Sequence, residues 1–173
     1  MQPLLNFAGK QTVITGAYSG IGAALVTLLR QAGADQIVVL DLKKPGVKVE
    51  TFIETDMGNP ASIDAALQKI TAVGEPPVDL LFNNAGVAAT LPADTVMRVN
   101  ILGLKRLTER LMPTMSEGGA IVNTASVAGN RWSVHLSEIS ALLDIDSWDE
   151  AVAWVADNAE LVADGYVFSK ESV

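Results

Sequence analysis

Thr12-Val13-Ile14-Thr15-Gly16-Ala17-Tyr18-Ser19-Gly20-Ile21-Gly22 is the stretch that decides the fold. Thr12 to Thr15 reads as a short strand, and the glycines that follow break it. Apolar residues then recur at three- and four-residue spacing, at Ile21, Leu25, Leu28, Leu29 and Ala32. That stripe predicts a helix from about Ile21 to Gln31 packed on a sheet. Gly33 stands where a helix C-terminal cap belongs, and Gln36 to Leu40 reads as the next strand. Together these make one βαβ unit.

Working outward, the alternation continues. A third strand is expected near Val49 to Glu54, and a helix starts after Pro60, because proline suits a first helical turn. A fourth strand follows at Val78 to Phe82 and a long helix at about Ala93 to Met112. Ala120 to Thr124 reads as a fifth strand whose nearly unbroken apolar character predicts burial on both faces. Strands alternating with helices fit right-handed crossovers, giving an α/β fold: a doubly wound parallel sheet with helices on both faces.

The turn itself carries chemistry. Glycines at 16, 20 and 22 would let a pyrophosphate approach main-chain amides at the N-terminus of the following helix. About 20 residues further on, Asp41 closes the second strand, where a carboxylate accepts hydrogen bonds from the adenosine ribose hydroxyls and repels a 2′-phosphate. Lys43 and Lys44 are basic groups of the kind that accommodate NADP, yet lysines in a turn before Pro45 are usually solvated. The balance favours NAD over NADP.

Composition narrows the classes. At 173 residues and 49% hydrophobic content the chain suits a single domain, residues 1–173. A net charge of -8 argues against nucleic-acid or anionic-membrane partners, both of which need a basic surface. With no cysteine, and His135 as the one histidine, no metal site is expected. Neither a signal-peptide pattern nor a membrane-length apolar run is seen, so the expected location is the cytoplasm.

The T-G-x-x-x-G-x-G spacing at Thr15 to Gly22 is joined by Asn83-Asn84-Ala85-Gly86 just after the fourth strand. Asn100 lies in the long helix, Ser126 just past the fifth strand, and Tyr166-Val167-Phe168-Ser169-Lys170 near the end. In this order the motifs resemble the short-chain dehydrogenase/reductase family, with its Rossmann-type nucleotide-binding fold. The resemblance implies an oxidoreductase moving hydride between NAD(H) and a secondary alcohol or ketone, with Tyr166 as general acid/base. It implies Lys170 as the neighbouring cation, Ser126 on the substrate oxygen, and Asn100 holding a proton-relay water. A phenol ordinarily ionises near pH 10, so a cation four residues along the same helix face is physically apt. The same resemblance assigns cofactor contacts to Gly16, Tyr18, Ser19, Gly20, Ile21, Gly22, Asp41, Asp56, Met57, Asn83, Ala85, Gly86, Tyr166 and Lys170. It implies a small-molecule substrate and a homo-oligomer.

Two departures stand out. The stretch between Ser126 and Tyr166 is long for the family, and residues 131–164 read as a helical insertion before the Tyr-x-x-x-Lys motif. Within it a short helix is expected near Ser137 to Leu143. Ser147-Trp148-Asp149-Glu150 reads as a capping box, followed by an apolar face of Ala151, Val152, Val155 and Ala159. Such an insertion resembles the bacterial 3α-hydroxysteroid dehydrogenase/carbonyl reductase subgroup. Trp132, Trp148 and Trp154 are expected in the core, and His135 shows no partner. The sequence also ends at Val173, where the family normally adds strands, helices and a substrate loop, so a truncated chain is expected. That ending keeps open an alternative: a non-catalytic nucleotide-binding or oligomerising module.

Overall fold

The computed structural model describes residues 5–72 and 75–173. Within them β1 (Gln11–Thr15), β2 (Gln36–Asp41), β3 (Thr51–Glu54), β4 (Val78–Asn83) and β5 (Met115–Asn123) form one sheet in the order β3-β2-β1-β4-β5. Every pairing is parallel, with Ile14 level with Val39 on one side and with Phe82 on the other. The chain winds outward from β1 to β3, then crosses back to β4. Strand order therefore reverses between β1 and β4, the place where open α/β sheets form a crevice beyond their carboxyl ends.

Alternation along the strands supplies the two layers. Val13, Leu40, Ile53 and Leu81 face one side and pack on Ile63, Leu67 and Ile70 of α2 (Pro60–Ile70) and on Leu107 and Leu111 of α4 (Gly103–Leu111). Ile14, Ile37, Val39, Phe52 and Phe82 face the other and pack on Val26 and Leu29 of α1 (Gly20–Gln31). The start of α2 is set by Asn59, whose Oδ1 accepts from the backbone amides of Ala61 and Ser62, with Pro60 in the first turn.

The buried stripe of α1 is the expected one only in part: Leu29 is buried and Leu25 packs beside it. Gly22, Val26 and Leu29 face the sheet, while Ile21 and Leu28 are 70% and 61% exposed. Gly22 sets this rotation: a Cβ there would lie 2.1 Å from the Gly16 carbonyl oxygen, so the bare Cα must face the turn. Gly33 follows α1 at φ +92°, as expected of a C-terminal glycine.

β5 also departs from expectation. It starts earlier, at Met115, and much of it is exposed, including Val122 at 47%. Its pairing with β4 is irregular between Val78 and Leu80, and regular register resumes at Ala120, where the apolar run begins. Among the described residues β5 is an edge strand, so apolar composition alone did not bring burial.

The predicted long helix is interrupted. α3 (Ala93–Met97) leads into one π-helical turn, Arg98–Leu102, before α4. At its end the Gly103 amide donates to the Arg98 carbonyl, and Gly103 lies against Met57, whose oxygen would be 2.0 Å from an added Cβ.

The segment read as an insertion folds into α5 (Leu136–Leu143), α6 (Trp148–Asp157) and α7 (Ala159–Val162), ahead of α8 (Tyr166–Glu171). Ile139, Leu142, Ala151, Val155 and Val162 make a third apolar cluster with Met97, Ile101 and Phe168. Ser147 caps α6 by accepting from the Glu150 amide. Ala159, expected on the α6 face, instead opens α7 and is exposed. Trp148 and Trp154 pack on this cluster, Trp154 stacking on Phe168 at 5.9 Å, whereas Trp132 is 51% exposed rather than core.

Candidate active site

At the carboxyl ends of β1, β2 and β4 lies a cleft of about 380 Å³. Its walls include Gly16, Tyr18, Ser19, Ile21, Asp41 and Asp56, with Met57, Ala85 and Gly86 also facing it. Nine of the fourteen expected cofactor residues thus share one cavity.

The turn after β1 is built by contacts that leave no room for side chains. Gly16 has φ +69°, its amide donates to the Leu40 carbonyl at 2.9 Å, and an added Cβ would sit 2.6 Å from Ala85 Cα. The Thr15 hydroxyl oxygen accepts from the amides of Asn84 (3.0 Å) and Ala85 (2.9 Å). Asn84 Nδ2 in return donates to the carbonyls of Thr15 (3.3 Å) and Gly16 (2.7 Å). These bonds tie the loop after β4 to the loop after β1. Ser19 precedes α1 without capping it through its side chain, which leaves the first helical amides for another acceptor.

Asp41 stands at the end of β2 and grips the same turn. Its Oδ2 accepts from the Tyr18 amide at 2.8 Å, and its Oδ1 accepts from the Lys43 amide at 3.2 Å. Lys43 Nζ lies 5.5 Å from the centre of the Tyr18 ring. Asp56, beyond β3, accepts from the Gly58 amide.

The four expected catalytic side chains sit beyond the other wall. Lys170 Nζ donates to the Thr124 carbonyl at 2.8 Å, just past β5, and burial pulls its ammonium below the ordinary lysine value. Ser126 opens a short 3₁₀ turn, Val127–Gly129, and accepts from the Ala128 amide. A Cβ on Gly129 would lie 2.1 Å from the Lys170 carbonyl oxygen, so this turn and α8 meet backbone to backbone. Tyr166 opens α8, its amide donating to Asp164 Oδ1, while Gly165 at φ +76° rests against the Ala93 backbone.

Asn100 lies in the π turn and is buried. Its side chain accepts from the Val87 amide (2.8 Å), donates to the Val87 carbonyl (3.0 Å), and reaches Ser169 Oγ at 3.3 Å. Gly86 joins the two halves of the site: an added Cβ there would be 3.4 Å from Asn100 Oδ1 and 4.0 Å from Lys170 Nζ.

Not every candidate reaches the cleft. Gly22 packs on the Gly16 carbonyl and Gly20, at φ +57°, faces open space; neither lines the cleft, and nor do Tyr166 and Lys170. Asn83 is buried, donating to Thr108 and Asn123 side chains, and so ties β4 to α4 and β5. Among the described residues, the Tyr166 side chain hydrogen-bonds neither Ser126 nor Lys170.

Thr15, Asn84 and Thr124 were missed, although Thr15 and Asn84 stand inside motifs already quoted and Thr124 two residues before Ser126; a polar residue at or just past the end of a strand was the available signal. Also missed was Glu171, whose Oε2 lies 2.7 Å from Nδ1 of His135.

The short chain dehydrogenase family profile matches residues 10–141. Coniferyl-alcohol dehydrogenase of Pseudomonas sp. (strain HR199 / DSM 7063) is 33% identical over 169 residues, covering 98% of this chain and 64% of its own length. D-erythrulose reductase of Gallus gallus is 35% identical over 161 residues, covering 82% of this chain and 64% of its own. The chain thus spans less than two thirds of the length of these relatives. The crystal structure of a 3-alpha-hydroxysteroid dehydrogenase from Pseudomonas sp. B-0831 complexed with NADH superposes with a TM-score of 0.75 at 24% identity, over 95% of this chain and 63% of that one. A short chain dehydrogenase from Burkholderia cenocepacia J2315 in complex with NADP gives 0.65 at 22% identity, over 96% of this chain and 65% of that one.

Proposed function

This chain belongs to the short-chain dehydrogenase/reductase family, and on that premise we propose that it carries the nucleotide-binding and proton-transfer machinery of an oxidoreductase acting on secondary alcohols or ketones with NAD(H). One observation carries the reading: Gly86 lines the cleft, and a methyl group placed on it would lie within 4.0 Å of both Asn100 and the Lys170 ammonium. Cofactor cleft and proton-transfer residues therefore share one end of one sheet. The same adjacency counts against a module that binds nucleotide without turnover.

The cleft fits a dinucleotide. Gly16 has no Cβ where one would strike Ala85, the amides opening α1 lack a side-chain cap, and a carboxylate waits at the tip of β2. Tyr18, Ser19 and Ile21 would flank the phosphates, Asp41 would accept from the adenosine ribose, and Asp56 and Met57 would border the adenine. Ala85, Gly86 and Lys170 would border the nicotinamide end. When bound, NAD(H) supplies or accepts the hydride.

The remaining work falls to the protein. Tyr166 gives a proton to the carbonyl oxygen in reduction and takes it from the hydroxyl in oxidation. Lys170, half-buried and held on the Thr124 carbonyl, favours the phenolate by its charge. Ser126 donates to the substrate oxygen, for which its hydroxyl hydrogen is free because the bond to Ala128 uses only its lone pair. Asn100 anchors the Val87 backbone beside them.

Preference for NAD over NADP follows from Asp41, whose charge opposes a 2′-phosphate. Residues 131–164 form the insertion, and their three helices support a likeness to the 3α-hydroxysteroid dehydrogenase/carbonyl reductase subgroup. A cytoplasmic homo-oligomer acting on a small molecule completes the reading.

Titration with NADH and NADPH, followed by nicotinamide fluorescence, tests the cleft without a substrate. Tighter binding of NADH is expected. Turnover is then screened with ketoses, hydroxysteroids and coniferyl alcohol, and Tyr166→Phe should abolish it while NADH still binds. Failure to bind either nucleotide, or undiminished turnover in Tyr166→Phe, would overturn the proposal.

A further inference from the structure

The proton-transfer chemistry makes no use of Glu171, yet its carboxylate is almost wholly buried, with 1% of the side chain exposed. Burying a carboxylate is costly unless it is paired. Its partner is His135, Nδ1 to Oε2 at 2.7 Å. With Glu171 ionised, Nδ1 carries the proton and donates. The two residues come from different parts of the chain. Glu171 follows Lys170 in the last turn of α8, and His135 ends the loop from Ser126 and precedes α5.

The imidazole is also placed by packing. Its centre is 6.1 Å from that of Phe168, which stacks in turn on Trp154 of α6. α8 is short, spanning Tyr166–Glu171, and its first turn is fixed by Asp164 and Gly165. Its last turn is held from the loop side by Gly129 against the Lys170 carbonyl, by Lys170 Nζ on the Thr124 carbonyl, and by His135 on Glu171. Of these the His135–Glu171 bond is the one between two side chains.

We propose that His135 and Glu171 form a clamp that sets the position of α8 relative to the Ser126 loop, and thereby the distance between the Tyr166 hydroxyl, which α8 carries, and the Lys170 ammonium, which the Thr124 carbonyl ahead of that loop holds. Both are positioning residues. The inference rests on the Tyr166–Lys170 pairing argued above, and it assigns part of the insertion the task of holding that pair. Charged groups around the clamp are Lys170 on α8 and Glu138 on α5. The Glu138 carboxyl is held below its ordinary value by the Ser137 hydroxyl and, further, by the His135 ring.

The test uses the full chain carrying Tyr18→Phe, which leaves Tyr166 as its one tyrosine and makes phenolate absorbance against pH a direct report on that hydroxyl. In this parent, Lys170→Met should move the absorbance rise to higher pH. His135→Phe keeps a ring against Phe168 but cannot bond Glu171. It should move the rise the same way by about one pH unit, a tenfold change in ionisation. His135→Asn, whose amide can replace Nδ1–H, should restore the parent curve. NADH should still bind, held by the glycine turn and Asp41.

A purely structural role would lower the melting temperature of His135→Phe and leave the curve in place, which overturns the clamp. Equal shifts in His135→Phe and His135→Asn would also overturn it, showing that ring charge rather than position acts. No shift in Lys170→Met would overturn the Tyr166–Lys170 pairing and the clamp with it. Should His135→Phe not fold, His135→Phe/Glu171→Leu leaves no carboxylate stranded and carries the same comparison.

Discussion

Gly16 and Ala85 meet backbone to backbone across the ends of β1 and β4, so closely that a methyl group on Gly16 would lie 2.6 Å from Ala85 Cα. The contact couples the two loops that wall the cleft, and the Thr15 and Asn84 hydrogen bonds run alongside it. Nothing in the glycine turn can shift without moving the loop that carries Gly86.

Gly16→Ala should therefore fail twice, from the positive φ of +69° and from the collision with main chain. A loss of about 1–3 kcal/mol is expected, the range for a residue held in a disfavoured backbone region. Urea unfolding would measure it, and NADH titration of the folded fraction should show little binding. A variant as stable as the parent would mean that the turn relaxes without cost.

Asp41→Asn keeps a side chain able to accept from the Tyr18 amide but removes the charge at the tip of β2. NADH affinity should fall about tenfold, as for a charge-assisted bond made neutral, and NADPH should gain relative to NADH. Parallel titrations with the two nucleotides check this. An unchanged ratio would shift discrimination to Lys43 and Lys44.

Lys170 is penalised for its charge by burial, so its ammonium titrates below 10.5 and the penalty on folding is present below that folded value. As pH rises from that folded value towards 10.5, the folded lysine becomes neutral and the penalty fades, to vanish above 10.5. Lys170→Met should consequently retain stability at neutral pH while turnover falls about 10²-fold or more. In the parent, activity on the alkaline side should decline before an ordinary lysine would lose its charge. Thermal melts paired with pH-rate profiles separate the two effects.

Arg106 on α4 bonds Asp64 on α2 through both Nε (2.9 Å) and Nη2 (2.6 Å), and this pairing holds the Asp64 carboxyl below its ordinary value. A depressed carboxyl contributes stability above the unfolded value of 3.8, and loses it as pH falls through the folded one. Asp64→Asn should cost at most about 1 kcal/mol near neutrality, because the pair is partly solvated. It should also flatten the acid limb of stability between about pH 5 and 3. Denaturant melts across that range check the sign.

Much of the fold was legible because its signals are local. Strand and helix alternate in the apolar pattern, Pro60 opens a helix, and Gly33 closes one, each requiring only neighbours in sequence. The stripe on α1 was read correctly at Leu25 and Leu29 but misread at Ile21 and Leu28, which look as apolar as the buried Val26. What rotates the helix is Gly22 pressing on the Gly16 carbonyl, a contact between two residues without side chains. β5 was expected to be buried for the same reason: apolar character permits burial, but only a covering layer supplies it.

Legible from the residues alone were the alternation of elements, the glycine turn after β1, the carboxylate at the end of β2 and the order of Asn100, Ser126, Tyr166 and Lys170. These depend on residue type and short spacing. Tertiary structure alone decided that Asn84 straps the glycine turn, that Asn100 sits in a π turn bonded to Val87, and that His135 closes on Glu171. The physical reason is that hydrogen bonds between distant segments depend on sheet register and helix rotation, which packing sets only once the whole chain has collapsed around its core.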